Sequence, residues 1–530
     1  MKYVLCFLIL CATFNCSAQQ QLTLVDDYCY DDSIEIGGAL KMKPLIDGSG
    51  YVVVGYSRLE FTGSVQHHGT FNSGWNKDAY IGILNNDFSV RKENVYGGTI
   101  TGDDDDEFAD VIEQSDGSFV CFGETKTPDG DFQSLAAQSF ALFKVDSNLN
   151  KVWSKPYGCT LSGITDQNFV QSVDGGFIMA GMNNGPCGDG LTDYDGSIFK
   201  EDWLLVKTDS AGNKVWAKVF GSSGDERDVR VMEDVAGDIY LYGSSGEGDF
   251  DMISDTSWKN TTATGGDIFL MKLNSYGNKI WTKSYGGTGY EYIDAGFYDS
   301  FNNCLVIAGG TSSKDLMFSD AQHQGDDAFF MRLDTSGNLL QTKLVGGKGM
   351  DFVRDIFYGT SQSEYFLFLQ TQSNNNGDMA GYTLNVANQI GAGGLDLFLC
   401  TIDFQGDFSM KYGIHNSTFD NRPIYSSYSN QTKEVLLHVG LAQDAFNLCD
   451  TSYLHTNSIK KPIIRRLVFE PLSFPEITKP NRSITIYPNP ASNSISFTLP
   501  ENFDKVNYQI KDYSGKLIQE GVYEEGGMVE

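Results

Sequence analysis

The sequence predicts an all-β protein whose larger part is a seven-bladed β-propeller, and three observations carry that prediction. A glycine-ended motif recurs about every sixty residues, each period holds four short strand-like segments, and the one segment missing from the last period stands at the N-terminus. The motif reads Trp153-Ser-Lys-Pro-Tyr157-Gly158, then Trp216-Ala-Lys-Val-Phe220-Gly221, then Trp281-Thr-Lys-Ser-Tyr285-Gly286. Weaker copies end at Gly97, Gly346 and Gly413, so glycines 97, 158, 221, 286, 346 and 413 lie 61, 63, 65, 60 and 67 residues apart. Such variation belongs to loops.

Taken in order, the chain opens with Lys2, an apolar run from Tyr3 to Phe14 too short to span a bilayer, and Cys16-Ser17-Ala18 before Gln19. Residues 1–18 therefore read as a secretory signal peptide, with a buried strand or acylation of Cys16 as alternatives. No later stretch has the length and apolarity of a transmembrane helix. Residues 19–475 hold the repeats. Within each, strand A precedes an Asp-Gly turn, as at Asp174-Gly-Gly, and strand B follows it. Strand C opens on an aspartate, as at Asp202-Trp203, and a link such as Asp209-Ser-Ala-Gly212-Asn213 leads to strand D with its tryptophan. That link is hairpin chemistry, in which glycine and asparagine accept positive φ. Seven A, B and C strands can be counted but only six D strands follow a C strand. The segment Leu22 to Tyr28 supplies the seventh, beside a C strand near Ile463 to Phe469, which joins the chain's ends and leaves no open sheet edge.

Composition narrows the function. With 69 acidic against 38 basic residues the formal charge is −31, which disfavours nucleic acid and other polyanions and suits cations or neutral ligands. The 58 glycines match a turn-rich fold. HExxH, GxSxG and P-loop motifs are absent, and among six histidines only the adjacent His67-His68 suggests a metal pair. No cofactor is implied beyond a hard cation such as calcium.

In a propeller the long B–C and D–A loops share one face around the channel mouth. His67, His68, Trp75, Tyr194, Trp258 and Tyr382 lie in B–C loops, where aromatic rings beside carboxylates suit a sugar; plugging of their own loops is the alternative. Six D–A loops carry an acid four residues before a common A-strand position: Glu107, Asp166, Asp225, Glu291, Asp351 and Asp420. On one ring they could hold a divalent cation. Equally, each could accept hydrogen bonds from its own glycine-rich turn. Asp103 to Asp106 reads as a solvated loop, and the aspartates opening the C strands (Asp78, Asp202, Asp267, Asp327, Asp396) read as structural. Blade register brings Cys159 near Cys187 and Cys29 near Cys449 as disulfide candidates, leaving Cys121, Cys304 and Cys400 reduced within strands.

The D-strand tryptophans and Gly-x-x-x-Trp spacing resemble the tryptophan-docking repeats of pyrroloquinoline-quinone-type propellers, where such residues pack blade on blade. The Asp-Gly-Gly-Phe, Asp-Trp and Trp-x-Lys-x-Tyr-Gly-Gly segments of the stretch 22–475 look like the repeats of secreted Bacteroidota propeller proteins. After a proline-bearing linker, residues 476–482, comes Ser483-Ile-Thr-Ile-Tyr487-Pro488-Asn489-Pro490, a strand alternating at Ile495, Phe497 and Leu499, and Asp512-Tyr-Ser-Gly515-Lys516. Residues 483–530 thus resemble the C-terminal sorting domain of type IX secretion substrates. That resemblance implies a small Ig-like β-sandwich, handling by the type IX machinery, and release or attachment at the outer cell surface. The domain stops at Gly526-Gly-Met-Val-Glu530, short of its usual final strands, so it is expected to be incomplete. The function expected is a binding or interaction module for a glycan or surface protein. The alternative is a polysaccharide-active hydrolase using loop carboxylates at the channel mouth.

Overall fold

The computed structural model describes, with side chains, residues 41–57, 77–98, 106–127, 129–132, 139–157, 168–183, 201–254, 266–319, 325–359, 364–373, 377–378 and 398–409, and residue 379 as backbone. As backbone it adds the strand segments 21–29, 58, 396–397, 410–414, 422–429, 434–440, 462–470, 485–487, 496–498, 505–511 and 517–524. Residues 24–468 form one compact unit, and the strands beyond 469 belong to another.

The first unit is seven four-stranded antiparallel sheets. Their A strands are Lys41–Pro44, Asp106–Glu113, Phe169–Gln171, Glu226–Glu233, Glu291–Asp299, Asp351–Tyr358 and Arg422–Ser429. A strands of neighbouring sheets pack together, and the last packs on the first, so they form the inner wall of a closed ring. In the seventh sheet the order is Arg422–Ser429, Glu434–Gly440, Pro462–Glu470 and then the N-terminal Gln21–Cys29. The N-terminal strand is therefore the outer strand of the last blade, as expected, and an edge in the ring is paired by the far end of the chain.

Strands B and C lie in the middle of each blade with both faces covered, which is why Phe119–Thr125 and Asp202–Thr208 are buried at every position. Cys121, Cys304 and Cys400 are buried free thiols in such strands. Turn chemistry is uniform. In C–D hairpins Asp209 Oδ1 accepts from the backbone N–H of Ala211 at 2.9 Å and of Asn213 at 2.7 Å, and Asp334 does the same with Ser336 and Asn338. In the Asp209 hairpin positive φ falls on the glycine, 73° at Gly212, and not on the asparagine as the sequence suggested. Asparagine contributes its amide, which donates to Asp209 Oδ2.

Each such hairpin is gripped by the D strand of the preceding blade. A β-carbon on Gly212 would sit 2.8 Å from the Trp153 ring and 3.2 Å from the Tyr157 hydroxyl, and Trp216 covers Gly277 and Trp281 covers Gly337 in the same way. The tyrosine hydroxyl donates to the carbonyl of that glycine, from Tyr157 to Gly212 and from Tyr285 to Gly337. The motif lysine completes the grip: Lys155, Lys218 and Lys283 donate to the Oδ1 of Asn213, Asn278 and Asn338. The Trp-x-Lys-x-Tyr repeat is thus an inter-blade clasp.

The second unit contains two antiparallel hairpins, Thr485–Tyr487 with Ser496–Thr498 and Lys505–Lys511 with Leu517–Glu524.

The clasp predicts an asymmetry between glycines. Gly277→Ala must hold alanine at φ 72° against Trp216 and should cost about 2 kcal/mol in denaturant unfolding. Gly246→Ala meets open space and should change stability by less than about 0.5 kcal/mol. Equal effects would remove the clasp from the account of ring stability.

Candidate functional site

Strand alternation decides what the D–A turns present. The first residue of an A strand is an acid in four described blades, Asp106, Glu226, Glu291 and Asp351, and none is more than 2% exposed. Each points into the junction with the preceding blade. Glu291 Oε1 accepts from Thr311 Oγ1 at 2.8 Å and Ser313 Oγ at 2.5 Å. Asp351 Oδ2 accepts from Ser373 Oγ at 2.7 Å and Gly347 N–H at 2.8 Å, and Glu226 Oε2 from Ser222 N–H at 2.9 Å. Asp106 takes Thr127 Oγ1 at 2.8 Å.

Across each junction stands the aspartate that opens the preceding C strand. A β-carbon on Gly286 would lie 2.5 Å from Asp267 Oδ1 and 2.8 Å from Glu291 Oε2, so the two carboxyls face one space. Gly97, Gly221 and Gly346 are likewise wedged between Asp78 and Asp106, Asp202 and Glu226, and Asp327 and Asp351. Burial first, then repulsion from the facing aspartate among other groups, pushes the carboxyls up: Asp106 and Glu226 to about 7, Glu291 to about 8, Asp351 to about 6. At the last junction Lys314 Nζ lies 2.8 Å from Asp327 Oδ2.

The residues on either side of the buried acid leave the junction, and Arg227, Tyr290, Tyr292 and Met350 reach solvent while Phe352 stays buried against the sheet. They differ from blade to blade: Asp225 and Arg227, Tyr290 and Tyr292, Met350 and Phe352. Asp225 and Arg227 form an exposed ion pair at 3.4 Å. Tyr290 and Tyr292 stack with centroids 6.5 Å apart and planes 24° from parallel, and Tyr292 meets Phe352 edge to face at 6.0 Å. The Arg354 guanidinium lies 5.1 Å from the Phe352 centroid. Bulges at Asp294 and Arg354 extrude these residues from their ladders, where they pair at 2.7 Å. A continuous strip, aromatic at one end and charged at the other, so runs along the A strands of two blades.

Of the six acids read as a ring near the channel mouth or as caps of their own turns, two are not the residues that the junctions bury. Asp106 rather than Glu107, and Glu226 rather than Asp225, takes that place, because the first ladder pairs are Asp106 with Thr125 and Glu226 with Ser245. Asp106 is therefore no solvated-loop residue. Glu107 instead meets Lys77 at 3.3 Å. Glu291 and Asp351 are themselves the buried first residues of their A strands, hydrogen-bonded to hydroxyls and a turn N–H. Among the described residues no three His, Cys, Asp or Glu side chains converge as metal ligands. Asp166, Asp420, His67, His68, Trp75, Tyr194, Trp258, Tyr382, Cys159, Cys187 and Cys449 lie outside the described residues, as do Pro488, Asn489, Pro490, Asp512, Gly515 and Lys516. For Cys29 and Tyr487 only the strand backbone is described. The tyrosine pair was missed because it occurs in one blade; its signal was departure from the repeat beside a repeated acid.

Residues 485–528 match the secretion system C-terminal sorting domain, which marks the chain for secretion and cell-surface attachment by the type IX route. Among the described residues no helix is long and apolar enough to cross a membrane. No curated protein matches. Similar solved structures include polysaccharide lyase Uly1, 9% identical over 84% of this chain and 92% of that one with a TM-score of 0.42. A member of the duf4221 family from Bacteroides vulgatus is 10% identical over 85% and 98% with a TM-score of 0.35. A Bacteroides caccae protein of unknown function is 12% identical over 65% and 92%, TM-score 0.32.

A carboxyl held above its unfolded value binds its proton more tightly in the folded ring. Its contribution is full below about pH 4 and is lost as pH rises through the folded value. Stability should therefore fall between pH 5 and pH 8 by roughly 1–3 kcal/mol per junction, and the thermal midpoint with it. Glu291→Gln, which keeps the shape without the charge, should flatten that slope; a midpoint that rises over this range would contradict the paired-acid geometry. Because no three ligating side chains converge among the described residues and hydroxyls or N–H groups donate to each buried acid, a chelator should leave the midpoint unchanged, and a fall of several degrees would restore a structural cation.

Proposed function

We propose that residues 19–475 are a binding module displayed at the cell surface, exported behind an 18-residue leader. Its ligand, a glycan or another surface protein, meets the face carrying the D–A and B–C loops. One observation carries this reading: the repeated acids of the D–A turns are locked into blade junctions, whereas Arg227, Tyr290, Tyr292 and Met350 beside them reach solvent and differ from blade to blade. What repeats serves the scaffold, and what varies is free to recognise. His67, His68, Trp75, Tyr194, Trp258 and Tyr382 belong to the same face in this reading.

A glycan array combined with a hydrolysis screen on the full chain tests it. The expected outcome is saturable binding without turnover. Cleavage of any substrate would replace the binding module by an enzyme, and absence of binding on the array would overturn a glycan ligand.

A further inference from the structure

We propose that Tyr290 and Tyr292, braced by Phe352, form a stacking platform for a neutral oligosaccharide; the inference rests on the binding-module reading and names its ligand class. Glu291 anchors the strand between them by turning into the junction, so both rings are held outward by backbone alternation and not by loop conformation alone. Tyr290 is 50% and Tyr292 43% exposed, a large apolar area left in water. The edge of Phe352, from the next blade, supports Tyr292 at 87° and keeps it from folding flat onto the sheet. Rigid half-exposed rings present a ligand with contact area at little cost in side-chain entropy.

The hydroxyls point to a polar ligand. Five tyrosine hydroxyls elsewhere in the ring are committed: Tyr157 and Tyr285 to hairpin carbonyls, Tyr240 to Asp234, Tyr358 and Tyr365 to Asp299. Those of Tyr290 and Tyr292 have no protein partner among the described residues, and each can both donate and accept. A saccharide matches this pattern, with C–H faces for the rings and hydroxyls for the rim.

Charge selects the neutral class. Burial, then the nearby Asp326, raises the Tyr292 hydroxyl above its ordinary value. Of the cations in this region, Arg354 is already held by Asp294 and Gln370, and Lys314 by Asp327. On a chain of charge −31 a polyanionic glycan would meet net repulsion here.

The test titrates the full chain with cellohexaose, mannohexaose and xylohexaose, and with hexagalacturonate, by calorimetry and saturation-transfer NMR. At least one neutral hexasaccharide should bind with the tyrosine ring protons in contact. Tyr290→Ala/Tyr292→Ala should weaken that binding at least tenfold at an unchanged thermal midpoint, and Tyr290→Phe/Tyr292→Phe should keep most of it. Neutral binding that survives the double alanine change overturns the platform and leaves the binding module standing. Preference for hexagalacturonate lost in the same variant overturns the neutral class. Silence with all four probes overturns the platform, and the glycan array then decides the wider reading separately.

Discussion

The ring depends on one contact made repeatedly among the described blades, the grip of a D strand on the next blade's C–D hairpin. The hairpin must turn through a residue of positive φ, which glycine adopts without strain, and glycine's missing side chain leaves room for an indole. The tyrosine hydroxyl then satisfies a turn carbonyl and the lysine an asparagine amide oxygen, so polar groups at the blade boundary are paired as the boundary closes. Blades one and two show how far the geometry outranks the residue: Phe88 and Leu149 hold φ values of 63° and 64° at the glycine position, buried, and Tyr96 still donates to the Leu149 carbonyl.

A second repeated device lies nearer the channel. Two carboxyls face each other across a glycine at four described junctions, which electrostatics alone would oppose. Serine and threonine hydroxyls and turn N–H groups offset that cost by donating to the acid, and burial makes a retained proton the cheaper state. The acidity of the chain is therefore partly formal, since some of its carboxyls are neutral in the folded ring near neutral pH. The same acids fix the A-strand start, and their neighbours inherit a defined outward direction. Scaffold and recognition surface are in this sense adjacent residues of one strand.

The period, the four strands per blade, the N-terminal completion of the last blade and the sorting tail could all be read from the chain, because each is written in residues close together or copied several times. Glu107 and Asp225 were misplaced for a local reason: acids adjoin in Asp106-Glu107 and Asp225-Glu226, and only the partner strand says which of two neighbours faces inward. The asparagine of the hairpin was assigned a backbone role because its work, receiving a lysine from another blade, is invisible within one repeat.

Sequence by itself determined the number of blades, the turn chemistry and the address, since these follow from local conformational preference repeated at fixed spacing. Tertiary structure alone decided which acid is buried, which carboxyls confront one another, and that Tyr290 and Tyr292 stand stacked in solvent against Phe352 from sixty residues further on. The physical reason is that strand register and blade contact bring together groups remote in sequence, and a side chain's direction is set by that register rather than by its neighbours along the chain.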